Sequence, residues 1–368
     1  MLTTTFKNID SIVAKIGDKL PIRLTFDAPS PTRNSSKLKA YFARIRDTFR
    51  KHRPPVYIGD HIGTGGFADV FLAQSDYDGV KDFAIKILRK ELTVVRKGQK
   101  YDSVREEMRV KDVKKRFRNE SFMQWHLGQS LSPRVAQSIV QVYDHGEFDS
   151  QNDFRFILME QMGKTLRDFI ANQSNFADSE QLYLYKARLM LRIAEIIQNV
   201  HEAGIFHRDI KPENILFPRD AALPKVDSHG RLTDNAADSI KVKLGDFGTV
   251  RWVKSIDDKY DGVIIGSQFY MSPEQIFHPD RLDLRTDIYS FGVVCYELFF
   301  GFHPKNVDNT TVDVLEKLAR RQPVPVMPPH GLDGLYDIIL TCMKDIYERY
   351  QTMKEVCDRL RSFIQSRE

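Results

Sequence analysis

Apolar residues between positions 56 and 160 come in short runs, "VYIGDHIG", "DVFLAQS", "DFAIKIL", "IVQVYDHGEF" and "FRFILME", with polar turns between them. Their length, alternation and β-branched and aromatic content predict a small antiparallel sheet. One helical stretch, 103–127, interrupts it, and Ser103 with Glu106 offers a capping-box pair at its start. Beyond Met162 the period changes, and helices are expected over 178–203, 286–300, 311–321, 332–344 and 352–364. A strand-rich part followed by a helix-rich part predicts two lobes with a cleft between them. Ahead of both, Leu38, Tyr41, Phe42, Ile45 and Phe49 share one helical face over 36–51, with Lys and Arg opposite. Such a stripe is expected to pack on its own domain, the alternative being a membrane surface. Three polar or proline-rich zones, 27–36, 51–55 and 217–239, read as linker, spacer and surface loop.

The 368 residues suffice for one large domain or two modest ones. With 42% hydrophobic and 29% charged residues the chain falls in the ordinary globular class. A formal net charge of +5 permits an acidic ligand such as a nucleotide but does not demand one. The most basic stretch, 89–118, is read as a lengthened solvated helix or as a docking surface for an acidic or phosphorylated partner. It lacks interleaved aromatic residues, so nucleic acid is not an expected partner. Cys295, Cys342 and Cys357 form no CxxC pair, which excludes the common zinc and redox motifs and suits a reducing compartment. No apolar run reaches the length of a membrane span, and the charged N-terminal residues show no signal core. A cytoplasmic location is expected, or a nuclear one if the source has a nucleus.

Four motifs carry candidate chemistry. In "IGTGGFADVF" the glycines Gly63, Gly65 and Gly66 sit in a turn between two strand runs, where backbone amides can approach phosphate oxygens. The turn does not lead into a helix and lacks Lys-Ser/Thr, which argues against Rossmann and Walker sites. In "FAIKIL" Lys86 stands inside an apolar strand, a costly place for a cation without an anion. "IFHRDIKPENILF" puts His207, Arg208, Asp209, Lys211 and Asn214 within eight residues. There Asp209 can accept a hydroxyl proton, Lys211 can neutralise a transferring phosphoryl group and Asn214 can hold a metal ion. "VKLGDFGTV" places Asp246 at a strand end, suited to Mg²⁺, which takes carboxylates together with phosphates.

In this order the motifs resemble those of the eukaryotic-type (Hanks-type) serine/threonine protein kinases, over roughly residues 56–364. The resemblance implies an α+β fold, bilobal, with a small antiparallel-sheet N-lobe bearing one main helix and a larger, mainly helical C-lobe. The organisation expected is an N-terminal extension over 1–55, N-lobe and hinge over 56–162, and C-lobe over 163–368. It implies ATP and Mg²⁺ as cofactors, a protein substrate with a Ser or Thr acceptor, and Asp209 as catalytic base. Lys86 would contact the α- and β-phosphates and pair with Glu120, with Glu106 and Glu107 as competing choices. Gln124 follows Glu120 by four residues where the family has an apolar residue, so either that position is polar or the glutamate register differs. Asn214 and Asp246 would ligate Mg²⁺. Glu160 and Met162 would read the adenine edge, Met159 would guard the back pocket, and Ile62, Val70, Ala84 and Leu216 would sandwich the base. "SPE" at 272–274 stands for the family's APE, with Glu274 expected to pair with Arg349, and Asp287 matches the aspartate that braces the catalytic loop. Ser267 falls where the family has a substrate-loop threonine. Arg208 is expected to meet a phosphate or one of Asp257, Asp258 and Asp261 in the loop 249–265. The alternative function is a pseudokinase, a nucleotide-binding scaffold with a dead site.

Overall fold

The computed structural model describes residues 56–64, 68–77, 80–89, 103–130, 133–148, 154–173, 179–221, 240–249, 251–252, 269–279, 282–304, 323 and 326–367. The expected helices over 36–51 and 311–321 lie outside the described residues, as do most of the loop 217–239, Gly65, Gly66 and Ser267. So do residues 253–265 of the loop proposed to face Arg208.

The chain divides into two compact units. The first holds the described residues up to Trp125 together with Gln141–Gln161, and the second holds His126–Val140 and the described residues from Met162 on. Val140 donates its N–H to the Leu244 carbonyl at 2.9 Å, which ties the 126–140 segment to the second unit.

In the first unit, strands β1 (Tyr57–Thr64), β2 (Ala68–Tyr77), β3 (Val80–Leu88), β4 (Val142–Phe148) and β5 (Phe154–Glu160) form one antiparallel sheet. Its order is β1-β2-β3-β5-β4. Helix α1 (Ser103–Ser130) runs three residues past its expected end. Along it Val113, Phe117, Glu120 and Gln124 recur at i, i+4, i+7 and i+11, which is one helical face. Val113 and Phe117 bury themselves with Ala68, Leu88, Val142 and Ile157 of the sheet.

The second unit begins with α2 (Pro133–Ser138), and after Gln161 come β6 (Met162–Thr165) and α3 (Leu166–Asn172). Neither short helix is long enough to show a periodic pattern in the sequence. Helix α3 is nonetheless well started, because Thr165 and Asp168 form a reciprocal capping box. Next come α4 (Glu180–Glu202), β7 (Ile205–Phe206), a 3-10 turn (Pro212–Asn214), β8 (Ile215–Pro218), β9 (Lys243–Leu244) and β10 (Arg251–Trp252). Helices α5 (Pro273–Phe277), α6 (Arg285–Phe300), α7 (Asp333–Cys342) and α8 (Met353–Gln365) complete the described part.

Helix α6 is buried on every side, as its uninterrupted "FGVVCYELFF" demands. It packs against α7, and α4 packs against α8. At the α6–α7 contact a Cβ on Gly292 would meet Cys342 Cβ at 2.7 Å, so only glycine permits that approach. Burial pushes the Cys342 and Cys357 thiols up to about 12, which leaves them packing groups rather than nucleophiles. Among the described residues no helix is long and apolar enough to cross a membrane.

Candidate active site

Lys86 lies on β3, a central strand, opposite Val70 on β2 and Ile157 on β5. Pairing on both sides fixes its backbone, and antiparallel partners share a face, so Val70, Ala84 and Met159 line the same side as Lys86. That is the face α1 covers. One turn beyond Phe117, Glu120 presents its carboxylate, and Lys86 Nζ meets Glu120 Oε1 at 2.5 Å. The two side chains are 15% and 6% exposed, too buried for either charge to stand without the other. Glu107 is exposed, and the Glu106 side chain lies outside the described residues. Gln124 is 2% exposed on the same helix face, so this position is polar and buried together. Ile62, on β1, is exposed, and Gly63 stands in the same strand. Glu160 closes β5, its N–H donating to Gln141 O at 2.8 Å. Met162 opens β6 opposite Pro218, and Leu216, half-buried on β8, pairs with Thr165.

The second unit assembles the Asp209 loop around a carboxylate far away in sequence. Asp287, wholly buried on α6, accepts hydrogen bonds from the backbone N–H groups of His207 and Arg208, each at 2.7 Å. His201 Nε2, at the end of α4, lies 2.9 Å from the same carboxylate. Burial alone would raise the Asp287 carboxyl. The bond and charge of His201, with His207 and its amide, outweigh that and hold it below the usual carboxylate range. Arg208 adopts φ 68°, a left-handed conformation for a residue that carries a Cβ. Three contacts hold it and its neighbour there: the Asp287 bond, Gln275 Nε2 donating to Arg208 O at 3.0 Å, and Thr249 Oγ1 donating to His207 O at 2.9 Å.

His207 is buried with its ring edge-on to Phe247, centroids 4.9 Å apart. Its Nε2 lies 3.1 Å from Gly245 O, so that nitrogen carries the proton of the neutral ring. Burial, only partly opposed by the charges of Asp287, Asp209 and Asp246, pulls its pKa below the ordinary histidine value.

Asp209 is 8% exposed. Lys211 Nζ donates to its Oδ2 at 2.9 Å, and Asn214 Nδ2 donates to the same oxygen at 3.2 Å and to Asp209 O at 2.8 Å. The 3-10 turn, opened by Pro212, swings Asn214 back over Asp209. Because the Asn214 amide nitrogen is spent on Asp209, its oxygen is the atom left for a cation. Gly245 donates its N–H to Asn214 O at 2.9 Å, which carries the following residue, Asp246, alongside. Asp246 is itself left-handed, at φ 62°. One carboxylate and one amide oxygen fit magnesium, which prefers oxygen donors and keeps sites open for phosphates and water. Among the described residues no group of three or more His, Cys, Asp or Glu gathers as a metal site, so a tighter protein cage is not on offer there.

Ser272 caps α5 and forms a capping box with Gln275. Glu274 takes Arg349 Nη1 at 2.7 Å in a pair whose side chains are 9% and 0% exposed. Arg349 also donates to Arg285 O at 2.7 Å and lies 4.9 Å from the Tyr289 ring centroid. His201, Gln275 and Thr249 escaped the reading of the sequence. Gln275 and Thr249 reach the Asp209 loop from 67 and 42 positions away, His201 acts on it through Asp287, 86 positions off, and only the assembled fold shows these contacts.

With the geometry in place, comparison with known proteins gives the family. The model of the protein kinase domain matches residues 57–360, and the chain belongs to that family. It is 29% identical over 315 residues to a probable serine/threonine-protein kinase of Corynebacterium efficiens, covering 81% of this chain and 40% of that protein. It is 29% identical over 305 residues to the serine/threonine-protein kinase PknB of Mycobacterium leprae, covering 81% and 41%. A probable serine/threonine-protein kinase of Clostridium perfringens is 30% identical over 226 residues, covering 60% and 28%. The chain thus spans about two fifths of the length of the first and second of these relatives.

Proposed function

We propose that this chain transfers the γ-phosphoryl group of ATP to serine or threonine hydroxyls of proteins. The observation that carries the reading is the Asp209 carboxylate, steadied by Lys211 and Asn214 in a loop anchored to Asp287. In the transfer, the acceptor oxygen bonds to the γ-phosphorus as the bond to the β–γ bridging oxygen breaks. ADP leaves with that oxygen, and the hydroxyl proton passes to Asp209. Lys211, 2.9 Å from Asp209, neutralises charge on the moving group, and Lys86, oriented by Glu120, holds the α- and β-phosphates. Asn214 and Asp246 would hold magnesium, which when bound screens the phosphate charge. Ile62, Gly63, Val70, Ala84 and Leu216 would enclose the base, with Glu160 and Met162 supplying backbone contacts. The residues of 89–118 include exposed Lys111, Lys115 and Arg118 on α1, which suit an acidic or phosphorylated docking partner. Three buried free thiols fit a reducing compartment, the cytoplasm.

The test is radiolabelled transfer from ATP·Mg²⁺ to casein and myelin basic protein, with phosphoamino-acid analysis. Phosphoserine or phosphothreonine that vanishes in Asp209→Asn supports the reading. ATP binding without any transfer refutes it.

A further inference from the structure

The sheet of the first unit is apolar on both faces, and α1 accounts for one of them. That helix packs through Val113 and Phe117 on the face of Leu88, Val142 and Ile157. Alternate residues of each strand point the other way. Cross-strand pairing sets Phe71, Ile85 and Leu158 in one row over β2, β3 and β5, and Ile58, Ala73 and Phe83 in the next over β1, β2 and β3. All six are 5% exposed or less. An antiparallel face turned to water carries polar, wetted side chains, and this face is neither polar nor wet. Among the described residues of the first unit α1 is the single helix, and it lies on the opposite face. The cover therefore comes from elsewhere in the chain.

The connections within the sheet do not supply it. "GGF" at 65–67, "DG" at 78–79 and "DSQND" at 149–153 are short turns. The stretch 90–102 sets Leu92, Val94, Val95 and Tyr101 among basic residues, without a continuous apolar stripe. Residues 36–51 match the face in pattern, length and tether. Leu38, Tyr41, Phe42, Ile45 and Phe49 make one apolar stripe, and the charged side chains, Asp47 among them, fall away from it. Sixteen helical residues extend about 24 Å, enough to cross five strands spaced about 4.8 Å apart. The six residues from His52 to Tyr57 reach at most about 20 Å, so the stripe is held close to β1, a strand of this same sheet.

We propose that the face of the sheet opposite α1 is the docking surface for residues 36–51 of this chain, which lie on it as a helix and form the second cover of the first unit. The strand that carries Lys86 is then held from both sides, and the Lys and Arg residues of 36–51 stay in water. Hydrogen exchange of the unmodified full chain is the first test. Amides of 41–49 should exchange at least about a hundredfold slower than in an isolated helix of this length, which is marginal in water. Unprotected exchange overturns the inference. So does protection that appears only with anionic lipid vesicles, or only at concentrations where the chain forms dimers. The second test is photo-crosslinking with benzoylphenylalanine placed at Phe42. Links within one chain to peptides of β2, β3 or β5 are expected, and the same group placed at Asp47 should give none of them. Links from position 42 to α1, to the second unit or to another copy of the chain overturn the inference. Ile45→Asp should speed amide exchange in β2 and β3 about tenfold or more while Asp47→Ala leaves it unchanged, and equal behaviour of the two variants refutes the docking. None of these readouts uses phosphoryl transfer, so the docking stands or falls separately from the proposed activity.

Discussion

Asp287→Asn isolates the one carboxylate on which the Asp209 loop depends. The native group offers two anionic oxygens to the His207 and Arg208 amides and to His201. Asparagine keeps the volume but offers one neutral oxygen, so an amide NH₂ must face an N–H donor. Each charge-assisted bond contributes about 1.5–3 kcal/mol, and a buried donor left unmatched costs about 1–3 kcal/mol. One bond weakened and one donor unmatched come to roughly 3 kcal/mol. At about 2–4 °C per kcal/mol, the unfolding midpoint should fall by roughly 6–12 °C. The same bond holds Arg208 in its left-handed conformation, so the loop should also lose its geometry. Transfer should drop on the order of a hundredfold at a temperature where the variant is still folded. Differential scanning calorimetry and a peptide transfer assay check both. A midpoint within about 2 °C of wild type, with unchanged transfer, would show that the Asp287 hydrogen bonds do not carry the loop.

Lys86→Met and Asp209→Asn should each cut transfer by about a hundredfold or more with the circular dichroism spectrum near wild type, and Lys86→Met should also lower the midpoint, because it strands the buried Glu120 carboxylate. Glu274→Gln strands the buried Arg349 guanidinium and should cost about 3–5 kcal/mol, read as a lower urea midpoint, whereas retention of wild-type stability would deny the pair a structural role. Gly292→Ala forces a methyl against Cys342 and should cost about 1–3 kcal/mol in the same assay. Because the folded pKa of His207 lies below its unfolded value of about 6.5, the unfolded chain takes up that proton first as pH falls. The stability His207 contributes is therefore complete above about pH 6.5 and is lost as pH falls below that value toward the folded pKa. His207→Phe should narrow the difference between urea midpoints at pH 7.5 and 5.5, and an unchanged difference would exclude His207 as its source.

The groups closest to the chemistry were legible because they sit close together in sequence. Asp209, Lys211 and Asn214 span six residues, and the structure ties all three in one knot of hydrogen bonds. The five-stranded sheet was likewise readable from runs of strand length with clear alternation. Partners of Lys86 were harder, since three glutamates competed. Helix periodicity sets aside Glu107, which points outward, but Glu106 and Glu120 lie seven residues either side of Val113 on one face, and only the Lys86–Glu120 contact decides between them. Short α2 and α3 escaped for lack of period. The hydrogen bonds from Arg167 on α3 to Glu213, Glu297 and Tyr270 escaped for another reason: Glu297 lies 130 positions from Arg167, on a helix that reads as uniformly apolar core.

Arg208 and Asp246 are the two non-glycine residues with positive φ among those described, and both lie in the candidate active site. Glycine would suit either backbone better by roughly 1 kcal/mol. Selection on backbone conformation alone would therefore favour Asp246→Gly, a variant expected to transfer no phosphate. A thermostability screen of this protein needs an activity gate at Asp246, because there relief of backbone strain and loss of function arrive in the same substitution.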